Sequence, residues 1–417
     1  MLRRFDRLLL IGVVFLAACQ PRVPEPEPAP DPEPETPVAE RPETLDFQPV
    51  TWTAMDGWSE HDLVPALQAL RRSCARLDRR DDRDFLNPQA GWAGRVEDWR
   101  GACTAVAMTQ AGPQAARASL EAVFTPVRML ARDAETGETR TEGLLTGYYE
   151  PYVEVRRERE EGFTQPLRRR PDDLVTVDLG RFDPSLAGRR IVGEVRDGQL
   201  DLYKDRTAIE TSNAGEIFAW GRPIDVFFLQ IQGSGRLLFD DGHEERAAFA
   251  AHNGLPYRSI GRELIQRGEL EAHAASKQGI EAWLNEHGPE ATAELFGVNP
   301  RYVFFQSEVM TDPELGPRGS AGIPLTPMAS IAVDTRVMAH GVPVWLSADL
   351  PELPAWSGLV VAQDSGGAIN GPLRGDFFWG WGETAERRAG TTRAQAEWIV
   401  LLPHTVVAHL FADTEPT

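Results

Sequence analysis

Two aspartates, Asp364 and Asp376, stand twelve positions apart in one of the most apolar and aromatic stretches of the chain. The first lies in Ala362-Gln363-Asp364-Ser365-Gly366-Gly367-Ala368-Ile369, the second in Gly375-Asp376-Phe377-Phe378-Trp379-Gly380. An aspartate in such company is paired, hydrogen-bonded or put to chemical use. A carboxyl in an apolar, water-poor setting has its pKa raised, as a general acid working near neutral pH requires. Asp364-Ser365-Gly366 also resembles half of a two-aspartate, proton-sharing motif of the Asp-Ser/Thr-Gly kind found in aspartic proteases. Sharing a proton in that manner needs a second Asp-Ser/Thr-Gly, which the chain lacks, so only a homodimer could supply it.

Three further segments carry functional residue types. In Leu145-Thr146-Gly147-Tyr148-Tyr149-Glu150-Pro151, adjacent tyrosines on a strand point to opposite faces. One can pack while the other reaches a groove, although composition alone favours a core aromatic and a strand-ending Glu-Pro turn. Phe228-Leu229-Gln230-Ile231-Gln232-Gly233-Ser234-Gly235-Arg236 alternates apolar and amide residues. Read as a strand, it puts Gln230 and Gln232 on one face, a donor and acceptor row suited to sugar hydroxyls or merely a solvated face. Gly322-Ile323-Pro324-Leu325-Thr326-Pro327 leads to Asp334, which ends an apolar strand and can cap the next turn.

Helical spacing is expected from Ser59, as cap, to about Leu77, then over Val96–Met108 and Pro113–Phe124. Trp92, Trp99 and Phe124 are expected to pack between these helices. Cys74 and Cys103 fall on the first two, and an even remainder in an oxidising compartment suggests a disulfide, with two buried thiols the alternative. After Thr125 short strands recur, among them Ile224–Ile231, with helices over Ser259–Arg267, Lys277–Glu286 and Pro289–Leu295. Strand character then returns to the end of the chain. Short strands with polar turns and no regular βαβ alternation suggest small barrels, mainly β with N-terminal helices, an α+β arrangement.

The N-terminus sets the compartment. Arg3, Arg4 and Arg7 precede an apolar run, Leu8 to Ala18, of signal-peptide length and too short to span a bilayer. Leu16-Ala17-Ala18-Cys19 resembles a bacterial lipobox, which implies cleavage after residue 18 and lipid on Cys19. Gln20 after the cysteine then favours the outer membrane by the sorting rules for such lipoproteins. Pro21 to Phe47 holds nine prolines, eight acidic residues and two arginines, so residues 19–49 read as an extended tether. The 417 residues carry a formal net charge of −20, with no basic stripe to neutralise phosphates, which argues against nucleic acid. No His-x-x-x-His or Cys-His spacing supports a metal site, and no P-loop or dinucleotide fingerprint supports a cofactor.

Taken together and in order, these segments resemble the MltA family of membrane-bound lytic murein transglycosylases. The markers are Thr146 to Pro151, Gln230 to Gly235, Asn299-Pro300-Arg301-Tyr302-Val303-Phe304-Phe305, Pro324 to Asp334 and Asp364 to Gly380. Asp334, Asp364 and Asp376 match the three aspartates that give the family's 3D domain its name. The resemblance implies a double-psi β-barrel (50–147 with 304–413), a second β-barrel inserted at 148–303, and a groove between them for peptidoglycan glycan strands. It implies cleavage of the β-1,4 bond between N-acetylmuramic acid and N-acetylglucosamine with a 1,6-anhydro product, by a monomer tethered through its lipid. Asp376 is then the acid and base and Asp364 its support. Thr146, Tyr148, Gln230, Gln232 and Ser234 line the groove; Asp334 is grouped with them at the substrate face, though a structural role fits it better. Glycines 371 and 375 are expected to let backbone and sugar approach. A non-catalytic peptidoglycan-binding lipoprotein on the same fold is the alternative. Hydrolysis with water would need a second carboxylate across the groove, for which Glu150 is the candidate.

Overall fold

Glu43–Pro49, assigned by its sequence to the tether, is strand β1 and runs antiparallel to β2 (Phe124–Asp133). Its charges are neutralised across the pair rather than self-repelling: Asp46 meets Arg132, and Glu43 meets Arg140. Phe47 packs on Trp92, ring centroids 5.0 Å apart. The structure, a computed structural model, describes residues 43–412 apart from 184–185 and 187–188. The signal sequence, Cys19 and the tether as far as residue 42 lie outside the described residues. Among those described, no helix is long and apolar enough to cross a membrane.

Three helices follow β1: α1 (Val64–Leu77), α2 (Val96–Met108) and α3 (Pro113–Val123). α1 starts four residues later than a cap at Ser59 would set it, because Asp62 accepts the Val64 N–H and Pro65 fits the first turn. Cys74 and Cys103 are bonded, Cα atoms 5.3 Å apart, and staple α1 to α2. The bridge closes a loop of 29 residues in sequence separation. Its loss is expected to cost about 3–4 kcal/mol on the chain-entropy model, readable as the shift in urea midpoint between oxidised and reduced protein. Trp99 packs on Phe124, centroids 6.0 Å apart.

The chain then runs through β3 (Thr139–Arg140) and β4 (Glu142–Glu150) and crosses at Pro151 into a second body. There β5 (Tyr152–Arg156) and β6 (Gln165–Arg168) precede a separate three-stranded sheet, β7 (Val175–Asp178), β8 (Arg190–Arg196) and β9 (Gln199–Leu202). Next come α4 (Arg206–Glu210), β10 (Ile217–Gly221), α5 (Pro223–Gln232), β11 (Gly235–Phe239) and β12 (Glu244–His252). The body ends with α6 (Ile260–Gln266), α7 (Lys277–Gly297) and β13 (Val303–Glu308). Its sheet runs β13-β12-β11-β5-β10-β6, with β6 returning against β13 in a nearly closed barrel. The helices read separately over Lys277–Glu286 and Pro289–Leu295 are the halves of α7, broken at Gly288.

Two sequence expectations fail in this body. Ile224–Ile231 is helix α5, not a strand: Pro223 opens it, Gly233 closes it in the left-handed region (φ 85°), and its apolar residues are buried on two sides. A short apolar run does not reveal its own period. The inserted body also starts later and ends later than 148–303. Tyr148 to Glu150 belong to β4 of the first sheet, and Val303 to Glu308 pair with β12 of the second.

Back in the first body, β14 (Ser330–Val333), β15 (Pro343–Leu350), β16 (Leu353–Asp364), β17 (Gly375–Trp381), α8 (Gly382–Thr391), β18 (Arg393–Pro403) and α9 (His404–Leu410) complete the chain. Strands β18, β15, β16, β14, β17 and β4 follow one another in the sheet, and β4 pairs back onto β18. That closes a six-stranded barrel with no free edge, in which β14–β16 and β17–β4 are the parallel pairs. The fold is the expected one: a barrel interrupted by a second, inserted barrel.

Candidate active site

β17 lies between β14 and β4, and its register sets Asp376 opposite Ala332 on one side and Thr146 on the other. The Thr146 hydroxyl donates to Asp376 Oδ1 at 2.6 Å. β16 ends at Asp364, and although β14 and β17 separate β16 from β4 in the sheet, a side chain of β4 reaches its carboxyl. Tyr148 Oη donates to Asp364 Oδ2 at 3.0 Å, while the N–H groups of Ser320 and Ser365 donate to Oδ1 at 2.8 and 2.9 Å. Thr146 and Tyr148, alternate residues on one face of β4, thus hold one aspartate each. Tyr149 points the other way and is buried, and Tyr148 tilts against Phe378 with centroids 5.2 Å apart.

Both carboxyls are half-buried, and neither is in an ion pair among the described residues. Burial raises the pKa of Asp376 against the opposing Thr146 hydrogen bond and the Arg374 charge, and the charge on Asp364 pushes the same way. Burial likewise raises Asp364, against the Ser320 and Ser365 N–H groups, Tyr148 and His340. Two neighbouring carboxyls that each resist ionisation favour keeping a proton between them. If the protonated Asp376 carboxyl is the working form, activity must fall as pH rises through its folded pKa, above the ordinary 3.8. A kcat–pH profile checks this, and an alkaline limb that survives Asp364→Asn but moves down identifies Asp376 as its source.

The remaining expected residues divide. Asp334 is buried and saturated: Arg336 clamps it, with Nη2 at 2.6 Å from Oδ2, and the Gly371 N–H donates to it at 2.7 Å. Burial would raise its pKa, but Arg336 and the backbone N–H groups hold it below the usual value. It ties down the β16–β17 loop through Gly371. Gln230 is buried on α5, where it accepts from Arg206 Nη2 at 2.7 Å. Residues two apart on a helix diverge by about 200°, so Gln230 and Gln232 form no row. Gln232 and Ser234 are half-buried at the α5–β11 turn, beside the crossing where the Arg236 N–H donates to Pro151 O at 2.8 Å. Gly375 serves the interior instead of a sugar: a Cβ there would meet Ile331 at 2.5 Å and Trp398 at 2.7 Å. Gly371 has open space and φ +90°.

Glu150 is fully buried between two guanidinium groups, Arg236 Nε at 3.0 Å and Arg246 Nε at 2.5 Å. Those arginines also donate to Pro313 O and Leu315 O, and Arg236 stacks 3.7 Å over Trp381. The carboxylate proposed from sequence for hydrolysis therefore fastens the two bodies at their crossing.

Sequence reasoning missed Ser320 and Gln363. Gln363 is wholly buried and joins Ser330 (2.7 Å) to Ala69 O and Ser73 of α1 (2.8 and 2.9 Å), fixing the end of β16 next to Asp364. An amide inside the run Val360-Val361-Ala362-Gln363 was the available signal, since a buried amide must be bonded. Ser320 sits in a loop without periodicity and left none.

Fold and site together define a class: a two-barrel protein with a sequestered aspartate pair where the chain enters its inserted barrel. A model of the MltA specific insert domain matches residues 144–306, and one of the 3D domain matches 329–402. Membrane-bound lytic murein transglycosylase A of Vibrio cholerae is 32% identical over 263 residues, 61% of this chain and 64% of that protein, so the match spans just under two thirds of the relative. Among solved structures, MltA from Neisseria gonorrhoeae superposes with TM-score 0.72 at 30% identity, covering 86% of this chain and 93% of that one. Escherichia coli MltA with bound chitohexaose gives TM-score 0.58 at 25% identity, covering 87% and 95%. The chain belongs to the MltA family of membrane-bound lytic murein transglycosylases.

Proposed function

We propose that the protein cleaves the β-1,4 bond between N-acetylmuramic acid and N-acetylglucosamine in peptidoglycan, leaving a 1,6-anhydro end. The observation that carries this reading is Asp376: a half-buried carboxyl whose pKa burial raises despite the nearby Arg374 charge, held by a threonine hydroxyl and in no ion pair among the described residues. Such a group can stay protonated and donate to a leaving oxygen. Ordinary glycosidases use two carboxylates because water or an enzyme group must attack the anomeric carbon. Here the muramyl C6 hydroxyl attacks instead. The C1–O4 bond breaks, the C1–O6 bond forms, O4 takes the Asp376 proton, and the C6 hydroxyl returns one. No water is consumed, and the attacking group comes preplaced on the substrate.

Asp364 supports this cycle through its charge and through Tyr148, while Thr146, Tyr148, Gln232 and Ser234 bound the substrate path at the crossing. The oligosaccharide bound in the Escherichia coli relative supports a glycan occupant. Glu150, the carboxylate expected to serve water-consuming hydrolysis, is bridged by Arg236 and Arg246 and is not free to act as its base. We assign the protein to the periplasmic face of the outer membrane on the lipobox at Cys19. Purified protein without its lipid should release soluble muropeptides that lack a borohydride-reducible end. Murein binding with no soluble product would instead favour a binding lipoprotein.

A further inference from the structure

A cavity of about 340 Å3 lies on the α1 side of Asp364. Leu77, Leu86 and Ile323 give it apolar walls, and Arg76, Ser320 and His340 line it with polar groups. Arg76 lies against the backbone of Gly322: its Nη1, Cζ and Nη2 are 2.9, 3.2 and 3.4 Å from where a Cβ would stand. Gly322 is in the left-handed region at φ +70°, so the position favours glycine and leaves room for the guanidinium. The neighbouring arginines are committed: Arg71 to Val106 O, Arg80 to Leu86 O, and Arg100 to Asp82. Arg76 is exposed, and its side chain has no hydrogen bond or ion pair among the described residues, in a chain of formal net charge −20. Burial lowers the pKa of His340, so the cavity's positive charge comes from Arg76 and Arg80, and Arg80 is already bonded to Leu86 O and Phe85 O and paired with Asp84.

A guanidinium with its donors uncommitted at an apolar-walled cavity matches a carboxylate carried on small alkyl groups. The cavity also shares a wall with the aspartate site. Ser320 gives its N–H to Asp364 Oδ1, and its hydroxyl lies 3.2 Å from His340 Nε2 and 2.9 Å from Ser365 Oγ. An occupant therefore presses on the segment that sets Asp364.

We propose that this cavity receives the carboxylate end of a short peptide with small side chains, the kind of stem that murein glycan carries. This rests on the substrate reading above and adds a peptide contact to it. Calorimetric titration of the full chain with acetylated dialanine should show saturable binding. The same dipeptide with a C-terminal amide should bind at least about tenfold more weakly, the loss expected for one charge-assisted contact. Arg76→Gln should erase that difference, and should lower the ratio of kcat/KM on peptide-bearing over peptide-free strands by about tenfold. Equal binding of acid and amide by the wild type, or an unchanged ratio in Arg76→Gln, overturns the proposal. If the wild type cleaves neither kind of strand, the transglycosylase reading fails while the dipeptide titration still decides the cavity.

Discussion

Replacing Asp376 by asparagine should lower kcat by about 1,000-fold while leaving murein binding and the fold in place, because general acid–base catalysis supplies factors of that order. The substitution keeps an oxygen to accept from Thr146, which donates at 2.6 Å, and removes only the transferable proton. Stability should move the other way. Asp376 has a folded pKa above its unfolded value, so its contribution is present in full below the unfolded pKa and is lost as pH rises through the folded one. At neutral pH the wild type bears the cost of burying that carboxyl, and Asp376→Asn should melt at the same temperature or higher. An inactive variant that also melts earlier would mean that Asp376 is structural.

The largest stability effect is expected at Glu150. Its carboxylate has no exposed surface and bridges Arg236 and Arg246, so Glu150→Ala strands two guanidinium groups in the interior. Breaking a buried ion pair by removing one partner costs about 3–5 kcal/mol. Urea denaturation of Glu150→Ala should show a loss of that size, little changed by added salt because the pair is shielded from solvent. A loss under about 1 kcal/mol would place the pair among surface-like contacts, against the geometry. Glu150 lies two residues beyond Tyr148 on β4, so a loosened crossing should also disturb the hydroxyl that holds Asp364.

Much of this was legible in residue types. The apolar context of Asp364 and Asp376 anticipated their raised pKa values, and the alternation of a strand anticipated that one tyrosine packs while the other points away from it, but not that Tyr148 reaches Asp364. Helical spacing located α2 and α3 almost to the residue. What escaped depends on distant partners. β1 looked like tether because its charges find Arg132 and Arg140 only after folding. α5 looked like a strand because a run apolar on several sides hides its period. Glu150 read as a turn because both its partners lie more than 80 residues away, at |i−j| of 86 and 96. The insertion itself is topological: strands far apart in sequence close one ring, and no local pattern encodes that.

The central claim is that one proton donor suffices because the substrate supplies its own nucleophile. Digestion of sacculi in heavy-oxygen water tests it most directly. The account predicts soluble muropeptides with 1,6-anhydro ends and no heavy oxygen incorporated. Heavy oxygen at a reducing muramyl end would contradict it, since water would then be the attacking group.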